Sequence, residues 1–156
     1  DELAAVEEAD RPALVADLVT GWRDGRIKLW TTWKALTARR AHRDLFLEGD
    51  YQPIEPTGPL ERHCVAFARR HGDRWLVAAV PRWLTGVTEA GRPPVGEVWE
   101  GLTLPLPDEA PSEWRCALSG EAVAARGGGL AGVDLFARLP VALLLAPADR
   151  PEPSSR

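Results

Sequence analysis

Catalysis or metal binding would have to be built from few residues here. His42, His63 and His71 are scattered, and with Cys64 and Cys116 they form none of the paired spacings by which Cys and His hold zinc. Surface or hydrogen-bonding roles are expected for the histidines, and no metal or cofactor is expected. Gly127, Gly128 and Gly129 lack the Lys and the strand-to-helix setting of a phosphate-cradling loop, so they read as a hinge. Ser119, in the stretch LSGE, has no G-x-S-x-G elbow around it, and its Ser-Gly pair reads as a turn. Cys64 and Cys116 read as buried thiols of a reducing compartment; nothing in their placement demands a disulfide. No catalytic residue is assigned.

Seven tryptophans offer a different chemistry. A pyranose ring presents an apolar face that stacks on indole, so a Trp-rich β-domain could bind carbohydrate. Trp30 and Trp33 fall on the apolar stripe of a helical pattern, and Trp75 and Trp114 open β-type segments, which points to packing for these four. Trp83 and Trp99 flank a long stretch of turn formers and are the candidates for sugar stacking. The arginine clusters in TARRAHR and FARRHGDR fall on a helix's solvent side and at a hairpin tip. Neighbouring Asp and Glu cancel the wide positive field that phosphate binding wants.

The elements that must position these residues change period along the chain. Leu14, Leu18 and Trp22, with Val15 and Val19 beside them, recur at helical spacing, and Asp10 with Pro12 marks a start. After Gly21 and Gly25, Asp24 can cap a second helix ending near Asp44. Its stripe of Leu29, Trp30, Trp33 and Leu36 lies opposite Lys28, Thr32, Arg39 and Arg43. From Leu45 onward, short β-type segments are expected at 51–55, 64–69, 75–80, 98–104, 114–118, 122–125 and 141–146. Gly72 and Asp73 carry the chemistry of a hairpin turn. The stretch 82–97 reads as a long loop and ARGGGLAG as a flexible break. The architecture expected is mainly β with N-terminal helices: a helical segment in 1–43, an antiparallel β-sandwich in 44–148, and a disordered tail at 149–156.

Composition limits what this fold can serve. With 156 residues, 45% of them hydrophobic and 27% charged, one core or one core plus an appendage is within reach. The net charge of −4 argues against general attraction to nucleic acid or anionic membranes. No apolar run approaches the roughly 18 residues of a membrane span, and the acidic start is unlike a secretory signal, so a cytoplasmic location is expected.

Four stretches carry a resemblance: WRDGRIKLW (22–30), LFLEGDYQPIEPTG (45–58), VAFARRHGDRWLVAAVPR (65–82) and LFARLPVALLLA (135–146). In this order they resemble the C-terminal region of maltooligosyltrehalose synthases, glycoside hydrolase-like isomerases of the α-amylase superfamily. The resemblance runs from about Trp22 to Ala146 and is weakest in the long loop. It implies a catalytic (β/α)8 barrel closed by a last helical stretch and followed by an antiparallel β-sandwich. It also implies an intramolecular transglucosylation that turns the reducing-end α-1,4 link of a maltooligosaccharide into an α,α-1,1 link, for trehalose biosynthesis. The carboxylates of that reaction belong to barrel strands. None can be assigned to a residue of this sequence, so the chain is expected to be inactive alone.

Two classes of function therefore stand. One is the non-catalytic C-terminal portion of such a synthase, with the missing barrel of the same polypeptide as partner and maltooligosaccharide met only through it. Leu29, Trp30, Trp33 and Leu36 would then dock against the barrel, and the isolated fragment could self-associate there. The other is a self-sufficient carbohydrate-binding or protein-interaction module, for which Trp83 and Trp99 are the candidate platform.

Overall fold

The computed structural model describes residues 2–147, with side chains from residue 10 onward. The tail expected at 149–156 lies outside the described residues. Helix α1 (Glu2–Thr20) bends at Asp10, whose φ of −160° and ψ of 89° are extended. Asp10 Oδ1 accepts the Ala13 backbone N–H at 3.2 Å, and Pro12 occupies the first turn, where its missing N–H costs nothing. The helix restarts there, at the start signal visible in the sequence. A 3-10 turn, Trp22–Asp24, leads into α2 (Arg26–Ala41). Asp24 Oδ1 accepts the Arg26 backbone N–H at 2.8 Å and Oδ2 accepts Arg26 Nε at 2.7 Å, while Arg26 Nη1 donates to Asp17 Oδ2 at 2.8 Å. The backbone bond first, and the side-chain bond second, hold the Asp24 carboxyl below the usual carboxylate range.

His42, at φ −119° and ψ 43°, breaks the helix, and a short α3 (Arg43–Leu47) follows where a β pattern was expected from Leu45. Burial decides this: Leu45 is 1% exposed and enters the same core as the sheet, as do Val15 and Ala38 from the longer helices.

The described strands are β1 (Asp50–Ile54), β2 (Cys64–His71), β3 (Arg74–Pro81), β4 (Thr103–Pro105), β5 (Glu113–Cys116), β6 (Ala122–Ala124), β7 (Gly129–Ala131) and β8 (Ala142–Leu145). Six form one antiparallel sheet in the order β1-β2-β3-β8-β5-β6, and β4 pairs with β7 as a separate ribbon. The expected fold class, mainly β and antiparallel behind N-terminal helices, is the one observed. The second layer is this two-stranded ribbon, joined to the large sheet's core by Leu104 and Leu130, both fully buried.

Turn chemistry explains much of the path. In the β2–β3 hairpin His71 pairs with Arg74, and only Gly72 of the two turn residues has a positive φ, +61°, the pattern of a type II′ turn. Gly58 (φ +100°) lies so close to the Gly101 carbonyl that a Cβ would meet its oxygen at 1.9 Å, which lets Thr57 bridge Thr103 beside the ribbon. Two expectations change. The segment 98–104 divides into a 3-10 turn, Gly96–Trp99, and β4. The glycines at 127–129 are no hinge: Arg126 and Gly129 bridge across the turn, and β7 begins at Gly129 with Leu130 fully buried.

Register sorts the large sheet's residues by face, since directly paired residues share one. Ile54, Ala66, Ala68, Val77, Ala79 and Leu144 lie on the inner face, each at most 6% exposed. On the outer face of β1–β2–β3 stand Tyr51, Pro53, Val65, Phe67, Ala78 and Val80, and toward the hairpin Arg69 and the fully buried Leu76. Among these Tyr51, Val65 and Val80 are open to solvent.

Candidate functional site

The two tryptophans that flank the long loop have opposite fates. Trp99 is fully buried, donates its indole N–H to the Pro94 carbonyl at 2.7 Å, and packs its ring 4.8 Å from that of Phe136. It therefore offers no face to a sugar, and the expected Trp83–Trp99 platform does not form. Trp83 is 65% exposed and is the one non-glycine residue among those described with a positive φ, +49°. A side chain in that region costs about 1–3 kcal/mol unless its surroundings hold it there.

Trp83 is held from two sides. The Arg82 guanidinium lies 4.0 Å from the centre of its ring, and Arg82 is itself fixed by its backbone N–H to the His63 carbonyl and by Nε to the Arg62 carbonyl, at 2.8 and 2.9 Å. His63 Nδ1 lies 2.8 Å from the Trp83 carbonyl oxygen. A carbonyl only accepts, so Nδ1 carries the proton in this contact. Sequence reasoning found Trp83 but not the Arg82–His63 clamp; the adjacency of Arg82 and Trp83 was its only visible sign.

The helix stripe expected to dock also divides. Trp30 is fully buried within the chain: it packs with Leu14 and Leu18 of α1 and donates its indole N–H to the Leu118 carbonyl at 3.0 Å. It presents no surface to a partner. Trp33 is half-buried, edge-on to Trp30 at 5.5 Å, and Lys34 sits over both indoles. Leu29 and Leu36 are exposed. The inward line of α2 runs through the buried Trp30 and Ala38 and the half-buried Ile27 and Lys34, a rotation of the expected stripe that turns both leucines outward. A shallow groove beside them is lined by Leu36, Arg39, Arg40, Arg43 and Leu47.

The remaining candidates take ordinary structural places. His42 follows the end of α2, His63 precedes β2, and His71 ends β2 within 3.7 Å of Glu48. Ser119 is buried in the β5–β6 turn, where its Oγ accepts the Glu121 N–H at 3.3 Å. Cys64 and Cys116 are buried free thiols. Burial pushes the Cys64 thiol up to about 11, and the Arg82 charge acts the other way. Among the described residues no group of three His, Cys, Asp or Glu is placed to hold a metal ion, and no helix is long and apolar enough to cross a membrane.

Fold and site together define an antiparallel β-domain with a helical preface, whose most specialised surface feature is a clamped, exposed indole. Over 111 residues, 71% of its length, the chain is 41% identical to proteins of two Mycobacterium tuberculosis strains, each described as "Putative maltooligosyl trehalose synthase". The chain is related to a region of those proteins, and the match spans 12% of their length. No family model matches the chain.

Proposed function

We propose that the chain is the C-terminal, non-catalytic portion of a maltooligosyl trehalose synthase, joined in one polypeptide to a catalytic (β/α)8 barrel and acting in the cytoplasm. The observation that carries this reading is the 41% identity over 111 residues. The fold supports its non-catalytic half, because the described strands pair antiparallel, whereas a (β/α)8 barrel is built of parallel strands alternating with helices. In this reading the barrel's carboxylates convert the reducing-end α-1,4 link of a maltooligosaccharide to an α,α-1,1 link. The β-domain stabilises and shapes the enzyme. Incubation of the 156-residue chain with maltooligosaccharides should give no α,α-1,1-linked product above a no-protein control, and the full polypeptide should give it. Product from the chain alone would overturn the assignment.

A second reading, sugar binding by the β-domain itself, is favoured by the exposed and clamped Trp83. It requires a saturable change in tryptophan fluorescence with micromolar maltooligosaccharide, abolished by Trp83→Ala. The first reading expects no saturable response below millimolar sugar.

A further inference from the structure

The outer face of the β1–β2–β3 half of the large sheet is covered at the hairpin end, where Leu76 is buried and Arg69, His71 and Arg74 meet Gly49, Glu48 and Asp44. Its other end is apolar where water should meet it, apart from the Arg69 guanidinium 5.9 Å from the Tyr51 ring. Val65 stands directly opposite Val80, Phe67 opposite both Pro53 and Ala78, and the Tyr51 ring lies 5.1 Å from that of Phe67. Tyr51, Val65 and Val80 are 57%, 41% and 45% exposed. An antiparallel sheet with one wetted face alternates apolar-in with polar-out, whereas strands covered on both faces read as nearly continuous apolar runs. CVAFA in β2 and WLVAAV in β3 are such runs. Exposed hydrophobes scattered singly need no explanation; a joined patch does.

Trp83 follows the end of β3 beside this patch. The Arg82 N–H bond to the His63 carbonyl carries the β2–β3 pairing one step beyond Cys64 and Pro81, the pair next to Val65 and Val80, and the clamped indole follows at once. A rigid aromatic ring beside an apolar face is the side chain most often found to dominate a protein interface.

We propose that this face is where the larger portion of the same polypeptide packs, with Trp83 as an anchor at its margin. The proposal rests on the reading that the chain is part of a longer synthase. One observation chooses this occupant. The match covers only 12% of the relatives' length, so most of such a polypeptide is available to cover the face. Pro53 in the edge strand β1 weakens strand addition at that edge, so the surface at issue is the face, and a second copy on it is an outcome the test separates.

Hydroxyl-radical footprinting read by mass spectrometry tests this on the 156-residue chain and on the full polypeptide encoded with it. Tyr51, Phe67 and Trp83 should label in the chain at a rate independent of protein concentration, and about ten-fold more slowly in the full polypeptide, with Trp99 unlabelled in both. Equal rates in the two would overturn the proposal. So would protection that rises with the concentration of the chain alone, which makes a second copy the occupant, or protection of the chain by maltooligosaccharide alone, which makes this a sugar face. A coding sequence with nothing beyond this chain has the same effect. The double variant Val65→Lys/Val80→Glu should return Tyr51 labelling in the full polypeptide to the rate of the chain, while leaving the unfolding midpoint of the chain in place; retained protection counts against docking. Synthase activity of the full polypeptide is measured in parallel. Protection without activity refutes the functional reading alone, and activity without protection refutes the docking alone.

Discussion

On the inner face of the large sheet stand Ala66, Ala68, Val77, Ala79 and Leu144; on the outer face of the same strands stand Tyr51, Val65, Phe67 and Val80. The inner set is buried throughout, while Tyr51, Val65 and Val80 of the outer set are exposed and Phe67 is half-buried. The cause is the cover. Ala66, Ala68 and Ala79 share one core with Leu104 and Leu130 of the ribbon and with Trp99 and Phe136, all fully buried. Nothing in the described chain covers the outer face at Tyr51, Val65 and Val80 to that degree. Hydrophobicity therefore says that a position tolerates burial, and only the next layer says whether it is buried.

The largest effect that can break this comparison is on the inner face. Leu144 is fully buried between Val77 and Cys116 in the register, so Leu144→Ala should leave a cavity that its neighbours fill only in part. A loss of about 2–5 kcal/mol in urea unfolding is expected. A loss below about 0.5 kcal/mol, the scale of surface changes, would mean that the inner face is not the closed core described.

Cys64 sharpens the same contrast by titration. Its thiol stands on the inner face, 2% exposed, and burial raises it from 9.0 to about 11. The folded chain then keeps a proton that the unfolded chain releases above pH 9 or so, and stability falls wherever the unfolded state binds fewer protons. This contribution is fully present below about pH 9 and is lost as pH rises from 9 to 11. Because Arg82 and solvent moderate the cost of the thiolate, the loss expected is about 1–2 kcal/mol. Urea unfolding of the wild type and of Cys64→Ala across that range isolates it: the fall in stability should be present in the wild type and absent in the variant. Parallel profiles for both proteins would refute a buried thiol.

Local signals were legible where backbone chemistry acts alone. Asp10 and Pro12 restart a helix, Asp24 accepts the first backbone N–H of the next from one residue before its cap position, Gly25, and Gly72 turns a hairpin, each through bonds or dihedrals spanning a few residues. What failed depended on distant cover. The Leu29–Trp30–Trp33–Leu36 stripe is a fair helical pattern, yet the Leu118 carbonyl and Leu14 and Leu18 select Trp30 and rotate both leucines outward. Strand β7 was hidden by its glycines: Gly127 and Gly128, at φ +58° and +78°, make a turn that composition alone cannot tell from a flexible break. Trp83 and Trp99 looked equivalent at the two ends of one loop. They differ because the loop brings the Pro94 carbonyl to the Trp99 indole, while Arg82 and His63 hold Trp83 away from the core. The outer sheet face was present in the sequence as two apolar runs, but a single alternating hairpin and a doubly covered one differ there by only a few residues.

The smallest expected effect is the most discriminating. Val65→Thr and Val80→Thr each exchange a methyl for a hydroxyl of similar size on the open face, at side chains 41% and 45% exposed. In the 156-residue chain each hydroxyl can reach water, and Thr suits a strand as well as Val does, so unfolding free energy should move by no more than about 0.5 kcal/mol. In a polypeptide where a second layer seals this face, the same hydroxyl loses its water, and burying it without a partner costs about 1–3 kcal/mol. Paired urea unfolding of the chain and of the full polypeptide measures the difference. A large loss in the chain itself would mean the face is already closed, and a small loss in both would mean that nothing in the longer polypeptide covers it.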